Sequence, residues 1–145
     1  MTSPVAIVIT RRFAAAPERV FDAWLDPRLA SKWLFATDTG VMIRAENDPR
    51  VGGRFAFTDR RPDMGDVEHT GAYLEIERPK LLVFTFGVPA FSPDFDRVSI
   101  DIRPTGDGGC ELTLTHEMKP ENAQWREGTE KGWNNILEGL ARTLG

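Results

Sequence analysis

Two histidines and one cysteine are the side chains of this 145-residue chain most apt for chemistry near neutral pH, and their spacing limits what each can do. His116 falls in phase with Cys110, Leu112, Leu114 and Met118. On a strand these alternate residues share one face, and that face is apolar, so it is predicted to point inward. An imidazole on an apolar wall can orient a ligand carbonyl or hydroxyl, or shuttle a proton. The same placement equally suits a core histidine satisfied by a backbone carbonyl or a neighbouring side chain. His69 follows the charged, turn-like residues 59–66 and is expected in solvent. Cys110 has no basic neighbour or helix start beside it to favour a thiolate, and reads as a small buried apolar residue.

Other chemistries find little support. A metal set drawn from Asp66, Glu68, His69, His116 and Glu117 fails locally, because adjacent strand residues such as His116 and Glu117 point to opposite faces. Glu75 and Glu77 share a strand face but read as a solvated edge, and no Gly-x-Ser-x-Gly elbow supplies a nucleophile. Arg11, Arg54 and Arg97 sit within strands, and each is expected to form an outer-face ion pair in preference to meeting a ligand carboxylate. No catalytic residue, metal or cofactor is assigned, and an enzyme is the less favoured reading.

These residues need elements to position them. Val5, Ile7, Ile9 and Phe13 alternate along a first strand, with Arg11 interrupting the apolar face. Pro17 opens a helix whose apolar stripe is Val20, Phe21, Trp24 and Leu25, and Asp26-Pro27 closes it. A second short helix over residues 28–34 presents Leu29, Trp33 and Leu34. Strands are then predicted near residues 41–46, 54–58, 67–77, 80–86, 97–103 and 110–118, joined as antiparallel hairpins. Gly52-Gly53 and the run from Thr105 to Gly109 are turns, and strand-like residues after them exclude a phosphate loop. From Pro120 onward Trp125, Thr129, Trp133, Ile136, Leu137, Leu140 and Leu144 recur at helical steps. Gly128, Gly132 and Gly139 lie along one stripe of that helix, predicted to border a cavity or the first two helices, with a cap role for Gly128 as the alternative. The loop from Gly87 to Phe95 is stiff and apolar, and suits a cavity cap, a dimer contact or packing on the neighbouring hairpin.

Composition bounds the rest. A chain of this length buries roughly two-thirds of its unfolded surface around one core, so residues 1–145 are expected to form a single domain. The formal net charge of −4 disfavours nucleic acid and anionic membranes as partners. A single cysteine allows no intramolecular disulfide and fits a reducing cytoplasm. The run from Pro4 to Ile9 is too short for a signal-peptide core and is expected as a strand, with no membrane insertion.

Six motifs in order carry a family resemblance: Val20-Phe-Asp-Ala-Trp-Leu-Asp-Pro27, Arg50-Val-Gly-Gly53, Gly71-Ala-Tyr-Leu-Glu-Ile76, Leu81-Leu-Val-Phe-Thr85, Leu112-Thr-Leu-Thr-His116 and Gly132-Trp133. They resemble the START-like (SRPBCC) superfamily, and within it the family of the activator of the heat-shock-protein-90 ATPase. The resemblance implies an α+β helix-grip: a seven-stranded curved antiparallel sheet around a long C-terminal helix, with two short helices after strand one. Where many relatives carry Trp-Trp-Gly-Pro, this chain has Lys32-Trp-Leu-Phe35, which implies a more apolar and differently shaped cavity rim.

The function expected is binding of a small hydrophobic or amphipathic ligand between sheet and final helix, lined by Phe84, Leu114, His116, Trp133 and Leu137, with Trp33 at the mouth and Phe91 on the capping loop. Two alternatives stand beside it. One is a cyclase- or hydrolase-type enzyme using His116; the other is a stress-related module partnering a chaperone. A monomer and a homodimer are both compatible with the sequence.

Overall fold

The computed structural model of the protein describes residues 4–35 and 40–144. Its alternating segments form one curved antiparallel sheet of seven strands: β1 (Val5–Phe13), β2 (Val41–Asn47), β3 (Arg54–Arg61), β4 (Gly65–Glu77), β5 (Leu81–Phe86), β6 (Asp96–Pro104) and β7 (Cys110–Met118). The spatial order is β1-β7-β6-β5-β4-β3-β2. Strands β1 and β2 therefore occupy opposite edges, and the chain between them carries two helices, α1 (Pro17–Leu25) and α2 (Pro27–Trp33). The predicted α+β helix-grip is the fold observed.

Local chemistry explains the helix junction. Pro17 occupies the first turn of α1, where its missing N–H costs nothing. Asp26 ends α1 and then starts α2, its carboxylate accepting from the Arg28 N–H at 2.9 Å. Helix α2 thus begins at Pro27, one residue earlier than expected. Its Trp33 meets Trp24 of α1 edge to face, with ring centroids 4.7 Å apart, and donates from Nε1 to the Ala23 carbonyl.

A 3-10 turn (Pro120–Trp125) leads into α3 (Arg126–Leu144), which lies on the concave sheet face. Trp133, Leu137, Leu140 and Leu144 are buried at steps of four, three and four residues, one face of a helix. Opposite them β7 alternates without a break, burying Cys110, Leu112, Leu114, His116 and Met118. Gly139 lets α3 approach α2, since a Cβ there would lie 3.4 Å from Trp33 Cβ.

Three expectations need correction. The charged residues 59–66 are not a loop: β3 continues to Arg61 and β4 starts at Gly65. Outward pairs such as Arg60–Asp66 (2.8 Å) and Arg44–Glu68 (3.3 Å) take the charge into solvent. Between them Asp59, Val67 and His69 turn inward and are buried, so His69 is 6% exposed and not solvated. Arg11 does not pair on the outer face; it lies in phase with Ile7 and Ile9 and reaches Glu138 of α3 at 2.7 Å. Arg97 does pair outside, with Glu75 at 3.5 Å.

Strands β4 and β5 approach closely at Gly71. A Cβ at this position would sit 1.8 Å from the Thr85 carbonyl oxygen and 2.8 Å from the Phe55 ring. The β4–β5 ladder is interrupted there, and Thr85 Oγ1 accepts from the Ala72 N–H at 2.9 Å in its place. Beyond the interruption Thr70 and Gly87 exchange two backbone hydrogen bonds.

Candidate functional site

The N-terminal half of α3 overhangs one end of the sheet, and two neighbouring cavities open there. The outer one, about 560 Å³, is walled by the loop from Gly87 to Asp94, the start of β6 at Asp96, Met118, and Asn122 and Trp125 of the 3-10 turn. The inner one, about 390 Å³, lies between Arg61 and His69 on the sheet, Phe35 after α2, and Gly128, Gly132, Trp133 and Ile136 of α3. Phe86, Trp125 and Thr129 line both. Each volume falls in the range typical of small-molecule sites, about 300–1,000 Å³.

A chain of hydrogen bonds crosses the wall between them. Trp133 Nε1–H donates to His116 Nδ1 at 2.8 Å, and an indole nitrogen can only donate. His116 Nδ1 is therefore the acceptor, its hydrogen sits on Nε2, and Nε2 donates to Asp96 Oδ2 at 2.8 Å. Both ring nitrogens are committed. The imidazole is 1% exposed and lines neither cavity, whereas Asp96 lines the outer and Trp133 the inner. Nearby, hydrogen bonds from Lys119 and then Asn122 hold the Asp94 carboxyl below the usual carboxylate range.

The inner cavity is floored by near-parallel rings. Phe35 stacks on His69 with centroids 4.6 Å apart and planes 5° apart, and on Phe86 at 5.1 Å and 17°. Phe35 holds this position with a positive φ of 59°, a conformation that favours glycine and that a bulky residue rarely adopts. Burial, followed by the neighbouring Arg61 guanidinium, lowers His69 from 6.5 to about 4, against the opposing pull of the Phe57 and Val67 carbonyls and Asp59.

That shift has a measurable sign. The unfolded imidazole protonates near its ordinary value and the folded one only near 4, so between these the unfolded state binds more protons. Stability contributed by neutral His69 is complete above the unfolded pKa and is lost as pH falls toward 4. The loss amounts to about 3 kcal/mol over that window. Urea unfolding of wild type and His69→Gln across it should give a shallower pH slope for the variant; equal slopes would remove His69 as the cause.

The residues expected to line the site divide three ways. Trp133 lines the inner cavity and Phe91 the outer, where Phe91 is 58% exposed at the rim. Leu114, Leu137 and Trp33 lie in the packed core, and Phe84 borders only a void of about 10 Å³. His116 lies behind both cavities, with Asp96 and Trp133 as its outlets. The expected glycine stripe borders both structures proposed for it: Gly128 and Gly132 line the inner cavity, and Gly139 packs on Trp33. Gly128 lies within the first turn of α3 and is not its cap. The family resemblance places Phe35 at the cavity rim, whereas Phe86, His69 and Asp96 were not anticipated as lining residues. The alternation of Phe55, Phe57, Val67 and His69 across a hairpin was the available signal for His69. Cys110 is buried as expected, and burial pushes its thiol up.

The family model described as Activator of Hsp90 ATPase homolog 1-like protein matches residues 14–145. Among solved structures, protein CV1439 from Chromobacterium violaceum is similar at 29% identity, over 96% of each chain, with a TM-score of 0.84. Protein NE0264 from Nitrosomonas europaea is similar at 21% identity, over 97% of this chain and 94% of that one, with a TM-score of 0.82. Protein Ms6760 from Mycobacterium smegmatis is similar at 20% identity, over 99% and 96%, also with a TM-score of 0.82. The last two likenesses bear on the fold alone. No curated protein matches the chain.

Proposed function

We propose, from the premise that the chain belongs to the Activator of Hsp90 ATPase homolog 1-like family, that it is a binding protein for a small apolar or amphipathic molecule, housed in the paired cavities under α3. The observation that carries this reading is the shared aromatic wall of Phe86 and Trp125 joining two spaces of ligand size. The whole of residues 1–145 acts as one domain in this reading, in the cytoplasm. No helix among the described residues is long and apolar enough to cross a membrane. Binding without covalent chemistry is favoured because His116, the expected acid or base, has both nitrogens engaged by protein.

Gly132→Leu tests the reading. A Cβ at Gly132 meets nothing within 4 Å and Gly132 lines the inner cavity, so the new side chain starts into open space. With open space at this position stability should be unchanged or slightly raised, since glycine costs about 1 kcal/mol in a helix. Binding of the neutral fluorescent probe N-phenylnaphthylamine should weaken at least about ten-fold, equivalent to about 1.4 kcal/mol. Undiminished probe binding would place the ligand elsewhere. A chaperone-facing role would depend on the outer surface and would survive this substitution, so the same variant separates the two.

A further inference from the structure

One wall of the inner cavity carries polar groups that the apolar reading leaves unused. The Phe57 carbonyl lies 3.3 Å from His69 Nδ1. A carbonyl only accepts, so Nδ1 bears the ring hydrogen and Nε2 keeps a lone pair. The imidazole is 94% buried and lines the cavity, and no donor among the described residues reaches Nε2. Because the ring lines the cavity, this lone pair is available to a donor on an entering molecule. Arg61 lines the same wall. Its Nε is spent on Asp59 Oδ2 at 3.1 Å and one terminal nitrogen reaches Met64 Sδ at 4.0 Å, but a guanidinium has five N–H donors, so further terminal N–H groups remain able to donate.

The wall thus offers an acceptor beside a donor. A hydroxyl matches both with one oxygen: its hydrogen goes to His69 Nε2 and its lone pair receives an Arg61 N–H. A carboxylate can only accept and would set its lone pairs against that of Nε2. An ammonium can only donate and would meet the Arg61 charge. The parallel planes of Phe35, His69 and Phe86 favour a flat neighbour. We propose that His69 and Arg61 form a hydroxyl-reading subsite, and that the ligand is an uncharged, planar ring compound carrying a hydroxyl group. This rests on the cavity reading given above. Burial keeps the His69 ring neutral near neutral pH, which preserves the lone pair the hydroxyl needs.

Three probes of one ring system provide the test: naphthol, methoxynaphthalene and naphthoate, titrated near neutral pH by tryptophan fluorescence against the wild type and His69→Phe. Naphthol should bind wild type at least about ten-fold more tightly than either analogue, because a site built to pair a hydroxyl rejects a compound lacking it. In His69→Phe that advantage should vanish while methoxynaphthalene binds as before. Methoxynaphthalene binding wild type as tightly as naphthol, or the naphthol advantage persisting in His69→Phe, would overturn the subsite and leave the cavity reading standing. Failure of all three to bind wild type would overturn both. If His69→Phe does not fold, the wild-type comparison decides alone.

Discussion

Gly71→Val should fail to fold. The substituted Cβ would sit 1.8 Å from the Thr85 carbonyl oxygen and 2.7 Å from its carbon, and both are backbone atoms of the adjacent strand. A flexible side chain could swing aside; a strand held by β6 on its other edge cannot. Relief would require β4 and β5 to part near the middle of the sheet. The expected loss exceeds about 4 kcal/mol, beyond the usual range of point substitutions and a large share of a stability of about 5–15 kcal/mol. Circular dichroism and urea unfolding of purified protein would report it. A variant with the wild-type midpoint would mean that the strands accommodate a side chain at this crossing.

His116→Leu should cost about 3–5 kcal/mol although leucine is close in size and as apolar as its surroundings. The substitution leaves the Trp133 N–H without its acceptor in a buried setting and strips the Asp96 carboxylate of its donor. His116→Gln offers a control, because its amide oxygen can accept from Trp133 while its amide nitrogen donates to Asp96. Glutamine should recover a substantial part of the loss. A leucine variant as stable as wild type in denaturant unfolding would show that the three side chains contribute nothing as a connected set.

Much of this architecture is legible in the residues themselves. The unbroken alternation of β7 announces a strand with one buried face, and the steps from Trp133 to Leu144 announce the helix covering it. His116 could be placed inward on the same grounds. Its partners could not, since Asp96 lies 20 residues before it and Trp133 17 after it, and their meeting depends on how the helix is phased over the sheet. His69 was obscured by composition. The run from Asp59 to Asp66 looks like a loop because its charges are counted together, whereas a strand pair sends Arg60 and Asp66 one way and Asp59 and Val67 the other. Leu114, Leu137 and Phe84 were credited to the cavity because periodicity identifies a buried face without saying where packing ends and empty space begins. That limit falls near Trp133, where side chains from sheet and helix cease to meet.

Helix α3 is consequently held unevenly along its length. Its C-terminal half is anchored by Leu137, Leu140, Leu144, the close approach at Gly139 and the Arg11–Glu138 tie. Ahead of Trp133, which is buried and bonded to His116, its first turns border the two cavities and carry Gly128 and Gly132, which bring no side chain to the packing. These first turns are the part of α3 expected to open at the lowest cost, and amide hydrogen exchange would report it as weaker protection than in the turns after Trp133. Under the binding role proposed above, a guest would enter past these turns while the seven-stranded ladder stays shut, and its exchange would be uncoupled from the lifetime of the fold.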